Sequence, residues 1–467
     1  MTQALLSLYA QRRARLAALL AESGQSGVAI IPTAPEQARN RDSDFPFRHD
    51  SYFYYLTGFT EPNAWLVLDA TGRSTLFCQP KDLEREIWDG YRLGPDAAIA
   101  ALGVQAAHSV SALDQQLPKL LENQHTVWYP FATHKGLETR LDGWLNVVRS
   151  RVRFGAQCPA QQRDACGPLD EMRLIKDAHE QDLMRRASAI SAQAHVRAMQ
   201  TSARMLRAGQ DVREYHLEAE LLHEFRRQGS QFPAYTSIVA AGANACVLHY
   251  RADMAPVKDG ELVLIDAGCE LEGYASDITR TFPANGKFGG PQRDLYNLVL
   301  ASQDAAVAAT HVGARFTDPH DAAIQVLAQG LLDLGLLKKN KHGNVQDVID
   351  KRAYFPFYMH RTSHWLGMDV HDCGSYIEPS ELGQASERKD PLSGEIIVNR
   401  PSRILREGMV LTIEPGLYVR PSDDVPKAFW NIGIRIEDDA IVTADGSELI
   451  SRGVPVVADE IEALMRG

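Results

Sequence analysis

The spacing of apolar and polar residues changes along the chain and predicts two domains. Between residues 26 and about 153, short apolar runs at 28–31 and 64–68 are typical of β-strands, whereas 82–88 is typical of a helix. Strand and helix patterns that alternate in this way predict an α/β domain. Residues 11–22 superficially resemble a signal peptide, but their apolar run is too short for one. An amphipathic first helix explains this segment better.

A different pattern begins near residue 170. Residues 171–207 predict one nearly continuous helix and 212–228 predict another, whereas strand patterns dominate 236–282 and 409–443. Helical segments followed by strand segments predict an α+β domain.

Two segments lack a regular period. Residues 161–168 are polar and end in Gly167-Pro168, which predicts a linker and divides the chain into domains at 1–170 and 171–467. Residues 376–403 are rich in Pro, Ser, Glu, Arg and Gly, and they predict an exposed loop or lid.

The composition is that of a soluble globular protein. The chain has 467 residues, more than one hydrophobic core usually spans, of which 45% are hydrophobic and 23% charged. Its formal net charge of −11 argues against a nucleic-acid partner, because phosphates would be repelled. No run reaches the roughly 18 apolar residues of a membrane span. The six cysteines show no CxxC spacing, so we expect reduced, mostly buried thiols and a cytoplasmic location.

The first candidate for chemistry is a predicted β-hairpin. An apolar run at 262–265 leads to Asp266, and after a turn at 271–273 the chain returns through Asp277. The two arms would hold both aspartates near the turn, where two carboxylates coexist comfortably only with a cation between them. The alternative is a pair of solvated turn aspartates, and the hairpin alone leaves both interpretations open.

The second candidate is a cluster of three histidines: His360, His364 and His371. The first two have the spacing of a zincin pair on a helix. That interpretation is rejected because Arg361 stands where the zincin mechanism needs glutamate, and Gly367 interrupts a helix. The remaining alternative is that all three are ordinary surface or core histidines.

Two further strands carry charged residues. The apolar strand 408–413 ends on Glu414, before Pro415-Gly416. In 432–437, a period of two places Arg435 and Glu437 on one face, opposite the isoleucines. A surface salt-bridge ladder is the alternative for this second strand.

Four carboxylates and one or more histidines on strand ends form an oxygen-rich set of candidate ligands. Such a set suits two divalent ions better than one structural zinc ion. A water molecule shared by two metal ions loses a proton near neutral pH and becomes a nucleophile. The residues therefore favour metal-assisted amide hydrolysis.

The sequence resembles a known family at these positions. Five residues match, in order and context, the metal ligands of the pita-bread metallopeptidases: Asp266, Asp277, His364, Glu414 and Glu437. Segments 262–270, 363–372, 409–418 and 433–438, with 45–48 and 54–62 near the N-terminus, look closest to the aminopeptidase P branch. The resemblance covers nearly the whole chain. It implies an α/β N-terminal domain of the creatinase/aminopeptidase P type and an α+β C-terminal pita-bread catalytic domain.

The resemblance also implies how the ligands are shared. Asp266 would hold one metal ion, and His364 and Glu414 would hold the other. Asp277 and Glu437 would bridge the two ions. Manganese is the expected metal, with cobalt, zinc and iron as alternatives.

Other residues would act on the substrate or position the ligands. Three histidines match the family's substrate-side groups: His249, His360 and His371. Arg435 would orient Asp266, and Tyr418 would belong to the same network. Glu414 would also carry a proton to the proline nitrogen.

The activity implied is that of a metal-dependent Xaa-Pro aminopeptidase, which removes an N-terminal residue that precedes proline. Its partners would be peptides with proline at the second position and other copies of the chain, in a dimer or tetramer with Trp88 as a candidate contact. The alternatives are a prolidase, which cleaves only Xaa-Pro dipeptides, and a non-catalytic pita-bread binding protein. Two features depart from the family pattern: Arg361 replaces a glycine, and the segment 376–403 is long.

Overall fold

The apolar runs of the N-terminal region form one mixed sheet. Its strands are β1 (Gly27–Pro32), β2 (Trp65–Asp69), β3 (Ser74–Cys78), β4 (Ala106–Ser109), β5 (Thr126–Tyr129) and β6 (Gln161–Asp164). They lie in the order β4-β3-β2-β1-β5-β6. β1, β2 and β3 are antiparallel neighbours, whereas the pairs β1–β5, β3–β4 and β5–β6 are parallel. Helices connect the parallel pairs, as an α/β arrangement requires.

Two helices of this region begin at a side-chain cap. They are α1 (Gln3–Ala21), α2 (Ser51–Thr57), α3 (Leu83–Asp89), α4 (Gly94–Leu102), α5 (Leu113–Leu121), α6 (Leu137–Ser150) and α7 (Cys166–Leu174). The Asp50 carboxylate accepts from the backbone N–H of Phe53 at the start of α2. The Asp82 carboxylate does the same for Glu84 and Arg85 at the start of α3.

The predicted linker at 161–168 is wrong. Residues Gln161–Asp164 form β6, which pairs in parallel with β5, and α7 begins at Cys166. All four residues of β6 are exposed because this is an edge strand. An exposed edge strand needs no apolar residues, so its sequence is as polar as that of a linker.

The C-terminal region combines long helices with short, buried strands. Its helices are α8 (Ala178–Arg207), α9 (Glu214–Arg227), α10 (Gly290–Ala308), α11 (Asp318–Asp333), α12 (Lys339–His342), α13 (Val345–Asp350) and α14 (Ala458–Arg466). Its first strands are β7 (Phe232–Pro233), β8 (Ile238–Ala241), β9 (Leu262–Asp266), β10 (Cys269–Leu271), β11 (Tyr274–Ala275) and β12 (Thr279–Pro283). The remaining strands are β13 (Ser386–Lys389), β14 (Ile396–Asn399), β15 (Val410–Ile413), β16 (Gly416–Val419), β17 (Ile432–Arg435), β18 (Asp438–Thr443) and β19 (Gly446–Leu449).

These strands form several small antiparallel sheets that meet at the candidate residues. The three sheets that carry the candidate carboxylates at their strand ends are β12-β9-β8, β15-β18-β19 and β16-β17. A single bridge between Thr279 and Glu437 joins the first group to the turn between β17 and β18. A second bridge pairs Trp365 with Leu411 of β15.

The hairpin predicted around Asp266 and Asp277 is confirmed. β9 pairs with β12 in antiparallel register, with Asp266 opposite Thr279, and β10 and β11 continue to a turn at Glu272 and Gly273. A side chain at Gly268 would place its Cβ 1.7 Å from the carbonyl oxygen of Ser276. Glycine is therefore required where the two arms approach most closely.

The long helix predicted over 171–207 is interrupted. α7 ends at Leu174, and α8 begins at Ala178 with a capping box between Asp177 and Glu180. Lys176, in the gap, donates its backbone N–H to the carbonyl of Gly408. The break therefore ties the start of α8 to the strand that follows Gly408.

The segment 376–403 is largely exposed, as predicted, but it is not an irregular loop. It contains the hairpin of β13 and β14, in which Ser386 pairs with Asn399 and Lys389 with Ile396. The apolar residues of β14 lie exposed or half-buried, so no buried face imposes a clear period of two on the sequence.

The structure is a computed structural model, and it describes residues 2–21, 26–251 and 254–466. The chain divides into two units, Met1–Met172 and Arg173–Gly467. Among the described residues, no helix is long and apolar enough to cross a membrane.

Candidate metal centre and active site

The hairpin brings Asp266 and Asp277 to one buried point. Their side chains meet at the hydroxyl of Tyr235, which lies 2.5 Å from Oδ1 of Asp266 and also contacts Oδ1 of Asp277. One phenol proton cannot serve both carboxylates at once. Burial, followed by the charge of Asp266, raises the pKa of Asp277. The solvated-turn alternative is therefore wrong, since Asp266 is 9% and Asp277 5% exposed.

His364 faces these carboxylates with one ring nitrogen. Its Nε2 lies 3.4 Å from Oδ2 of Asp277 and 3.7 Å from Oε1 of Glu414. Its Nδ1 lies 2.9 Å from the carbonyl oxygen of Trp365, which holds the ring in place. Although burial opposes the charged imidazolium, Asp277 and Glu414 raise the pKa of His364 to about 9.

Glu414 and Glu437 complete the cluster from two other strands. Glu414 follows β15, and its backbone N–H donates to the carbonyl of Thr362 at 2.7 Å. Glu437 lies between β17 and β18, where the Thr279 hydroxyl donates to its Oε2 at 2.6 Å. Burial raises the pKa of Glu414 to about 7. Burial and the charges of Asp277 and Glu414 raise the pKa of Glu437.

The donor atoms fit a divalent cation. One ligand atom from each of Asp277, His364 and Glu437 lies within 4.8 Å of the other two. Carboxylate and imidazole donors are those that manganese, zinc, cobalt and iron accept. The pKa values of Asp277 and Glu437 are raised because burial and the neighbouring carboxylates both disfavour the charged forms of these groups.

Arg435 lies among these carboxylates and is itself buried. Its Nη2 donates to Oδ2 of Asp266 at 2.5 Å, its Nη1 to the hydroxyl of Tyr418 at 2.8 Å, and its Nε to the hydroxyl of Thr279 at 3.1 Å. Arg435 and Glu437 are 4% and 2% exposed, which excludes the surface salt-bridge ladder.

Three more histidines surround the cluster. His360 places Nε2 2.8 Å from the Tyr418 hydroxyl and Nδ1 3.6 Å from Glu414. Burial and the charge of Arg435 lower the pKa of His360 to about 3, so its ring is neutral. The ring of His371 contacts that of His364 edge to face, with centroids 4.4 Å apart. Burial and the charges of His364 and His249 lower the pKa of His371.

A single cavity of about 1680 Å³ collects the candidate metal ligands, Arg435 and the three substrate-side histidines that the sequence singled out. Its lining includes His249, Asp266, Asp277, His360, His364, His371, Glu414, Arg435 and Glu437. Segments almost two hundred residues apart in the chain therefore open onto one space. Their grouping excludes the interpretation of the histidines as unrelated core or surface residues.

The sequence analysis missed two groups of residues at the site. Tyr235 joins the two hairpin aspartates but lies in no apolar pattern that marks it. A buried ion network also supports the loop that carries His371: Asp372 accepts from Arg173 at 2.5 Å and from Lys176 at 2.9 Å. No sequence pattern marked this network, because residues 171–207 predicted one nearly continuous helix.

Two family models match this chain. The model of metallopeptidase family M24 matches residues 182–444, and that of the aminopeptidase P N-terminal domain matches residues 9–128. The Xaa-Pro aminopeptidase of Escherichia coli K12 is 42% identical, over 97% of each chain, and human Xaa-Pro aminopeptidase 3 is 33% identical, over 98% of this chain and 85% of the human one.

Solved structures are similar over the whole chain. The aminopeptidase PepP of Pseudomonas aeruginosa superposes with a TM-score of 0.89 at 45% identity, covering 99% of this chain and 98% of its own. E. coli aminopeptidase P with the inhibitor Pro-Leu gives a TM-score of 0.88 at 40% identity, with the same coverage.

The fold and the site thus define a metal-dependent hydrolase with a pita-bread catalytic domain, and the chain belongs to metallopeptidase family M24. Within that family its full-length similarity is to the Xaa-Pro aminopeptidases, whose N-terminal domain it shares.

Proposed function

We propose that this enzyme hydrolyses the peptide bond between an N-terminal residue and a proline at the second position. The observation that carries the proposal is the single cavity in which the five candidate ligands meet three further histidines, His249, His360 and His371. Full-length similarity to Xaa-Pro aminopeptidases supports this specificity.

Two divalent ions are proposed per chain, held by the five residues in the arrangement expected from the sequence. Asp277 and Glu437 are the proposed bridging ligands, Asp266 belongs to one ion, and His364 and Glu414 to the other. Bound there, the ions supply an activated water nucleophile and a Lewis acid for the amide carbonyl. Manganese is the proposed metal on the strength of the family resemblance, and cobalt, zinc and iron suit the same donors.

The protein's own residues position the peptide and move the proton. The imidazoles of His249, His360 and His371 are proposed to donate hydrogen bonds to the peptide and to the oxygen on which negative charge develops. Hydrolysis places a hydroxyl group on the carbonyl carbon and a proton on the departing proline nitrogen. Glu414 is proposed to carry that proton to the proline nitrogen.

We also propose a homo-oligomer, either a dimer or a tetramer. Helix α3 and the residues after it leave four large apolar side chains 71% to 84% exposed: Leu83, Ile87, Trp88 and Tyr91. Exposed apolar patches of this kind are typical of protein interfaces. A cytoplasmic location is proposed because every cysteine in the described part of the chain is a free thiol.

The nearest competing function is that of a prolidase, which would use the same ligands on dipeptides only. A strict dipeptidase needs a cation placed for the carboxylate that directly follows proline, and it rejects longer peptides because they leave that cation unpaired. The size of the cavity favours the open site of an aminopeptidase.

Metal analysis and a peptide panel test the proposal. Purified enzyme should contain about two metal ions per chain, because five ligand residues with two bridging carboxylates exceed what one ion of ordinary coordination number binds. Chelation should abolish cleavage, and manganese should restore it. Xaa-Pro-Yaa peptides should be cleaved with higher kcat/KM than Xaa-Pro dipeptides, and Xaa-Ala analogues should be much poorer. Cleavage restricted to dipeptides, and extended to tripeptides by Arg361→Gly, would identify a prolidase.

A further inference from the structure

Six arginines line the main cavity, and two of them, Arg361 and Arg388, also line an adjoining cavity. Arg361 follows His360 directly, and Arg388 lies on β13 in the segment 376–403. Both are exposed, and within the described ranges neither has a carboxylate oxygen within 4.0 Å. Arg388 is oriented by Asn399 of the neighbouring strand, whose Oδ1 lies 3.4 Å from its Nε.

Two of the remaining cavity arginines have acidic partners, whereas Arg251 and Arg400 line only the main cavity. Arg315 forms a forked pair with Glu381, at 2.8 and 3.1 Å. Arg435 is held by Asp266. The positive charges of Arg361 and Arg388 are therefore available to a ligand, whereas those of Arg315 and Arg435 are neutralised within the protein.

Arg361 and Arg388 face a common region. Both line the main cavity and an adjoining cavity of about 1020 Å³, so they stand at the border between the two. Their charges both act on the carboxylate of Asp321, where they oppose the rise in pKa that burial causes. The adjoining cavity adds Lys389 as a further cation, whereas Arg352 is paired with Asp390 at 2.7 Å.

The main cavity has room for more substrate than the cleaved bond requires. Its volume of about 1680 Å³ exceeds the roughly 300–1,000 Å³ of a pocket for one drug-sized ligand. In the proposed function, the N-terminal end of the peptide lies at the candidate metal ligands. A peptide that runs from there past proline has room to reach Arg361 and Arg388 in the wall of the same cavity.

We propose that Arg361 and Arg388 form a carboxylate-binding subsite that selects peptides with a negative charge shortly after the proline. The inference rests on the proposed function, because it assumes that the N-terminal end of the peptide lies at the candidate metal ligands. Guanidinium groups bind carboxylates through two parallel hydrogen bonds, which adds geometric selectivity to the charge. The carboxylate can be the chain terminus of a short peptide or an Asp or Glu side chain.

Two matched peptide pairs separate these sources. Ala-Pro-Gly as free acid and as amide differ only at the terminus, whereas Ala-Pro-Glu-Gly amide and Ala-Pro-Gln-Gly amide differ only in a side chain. The quantity measured is the ratio of kcat/KM, acidic over neutral, for the metal-loaded enzyme. The variants are Arg361→Gln, Arg388→Gln and the double variant. Lys339→Gln is the control, because Lys339 is an exposed cation of α12 that lines neither cavity.

The wild-type enzyme is expected to favour the acidic member of at least one pair by roughly tenfold in kcat/KM. This is the order of selectivity that one charge-assisted hydrogen bond provides. Each single substitution should lower the ratio, the double variant should bring it to about one, and the control should keep it. Added salt should also reduce it, because both arginines are exposed. A wild-type ratio near one for both pairs overturns the proposal, as does a preference that survives in the single and double variants.

Product binding decides the question without turnover. Pro-Glu-Gly amide and Pro-Gln-Gly amide lack the scissile bond, so calorimetric titration of the metal-loaded enzyme compares their affinities directly. Tighter binding of the acidic product, lost on substitution of Arg361 or Arg388, supports the subsite, and equal binding overturns it. Failure to cleave any peptide of the panel would instead contradict the proposed function, and the titration would still decide the subsite.

Discussion

Arg435 donates from Nη2 to Oδ2 of Asp266 at 2.5 Å, and both side chains are buried. The same guanidinium group reaches the hydroxyls of Tyr418 and Thr279. One planar group thus orients a candidate metal ligand and ties it to two neighbouring strands. A carboxylate held in this way keeps its second oxygen directed at Tyr235 and the other ligands.

Arg435→Lys should lower kcat/KM by roughly 10- to 100-fold, the usual effect of losing a group that orients a metal ligand. Lysine keeps the positive charge but cannot donate in three directions with fixed geometry. Steady-state kinetics and metal analysis check this expectation. The control is Arg185→Lys, in an exposed ion pair with Glu448 that does not line the cavity. Wild-type kcat/KM in Arg435→Lys would show that charge alone suffices.

Asp277→Asn and Glu437→Gln should each reduce activity by 10²-fold or more, because each removes a negative charge and a donor from the centre of the cluster. Peptide assays, metal analysis and circular dichroism should show lost activity with a retained fold. Glu272→Gln, at the exposed tip of the same hairpin, should behave as wild type. Activity above about a tenth of wild type in either variant would contradict the bridging role, because loss of one such contribution commonly costs about 10²-fold or more.

His249→Ala and His371→Ala should lower kcat/KM by roughly 10²-fold or more while the metal content stays near two ions per chain. Both histidines line the cavity, but neither belongs to the group formed by Asp277, His364 and Glu437. Kinetics and metal analysis on the same preparation separate the two effects. A variant that purifies without metal would make its histidine a ligand.

His195 should make the fold sensitive to acid. It is buried on α8, with Nε2 3.0 Å from the carbonyl oxygen of Ala267, and burial lowers its pKa to about 4. In the unfolded chain the pKa is near 6.5. Between these values the unfolded state binds more protons, so the free energy of unfolding falls as pH falls. The loss from this group at pH 5 is about 2 kcal/mol.

Denaturant unfolding at pH 7.5 and pH 5 checks this expectation in wild type and His195→Asn. The variant should lose about 2 kcal/mol less than wild type over this range, by the same linkage. His108→Asn, at an exposed position, is the control. An equal pH dependence in His195→Asn and wild type would assign the acid sensitivity to other groups.

The sequence by itself determined the elements whose signal is local. A buried strand that ends on Asp266, a turn and a return through Asp277 lie within a dozen residues, so the hairpin could be predicted. A period of two placed Arg435 and Glu437 on one face for the same reason. The resemblance to a family then related the separate motifs to one another, which no local pattern could do.

Tertiary structure alone decided the contacts between distant segments and the form of exposed ones. Tyr235 contacts Asp266 and Asp277, and Arg173 pairs with Asp372. The partners lie far apart in the sequence, and the spacing of apolar residues within one element does not predict such contacts. The edge strand at 161–164 and the hairpin in 376–403 have no fully buried face. Their sequences could therefore remain polar and irregular, because backbone hydrogen bonds, rather than side-chain burial, define these strands.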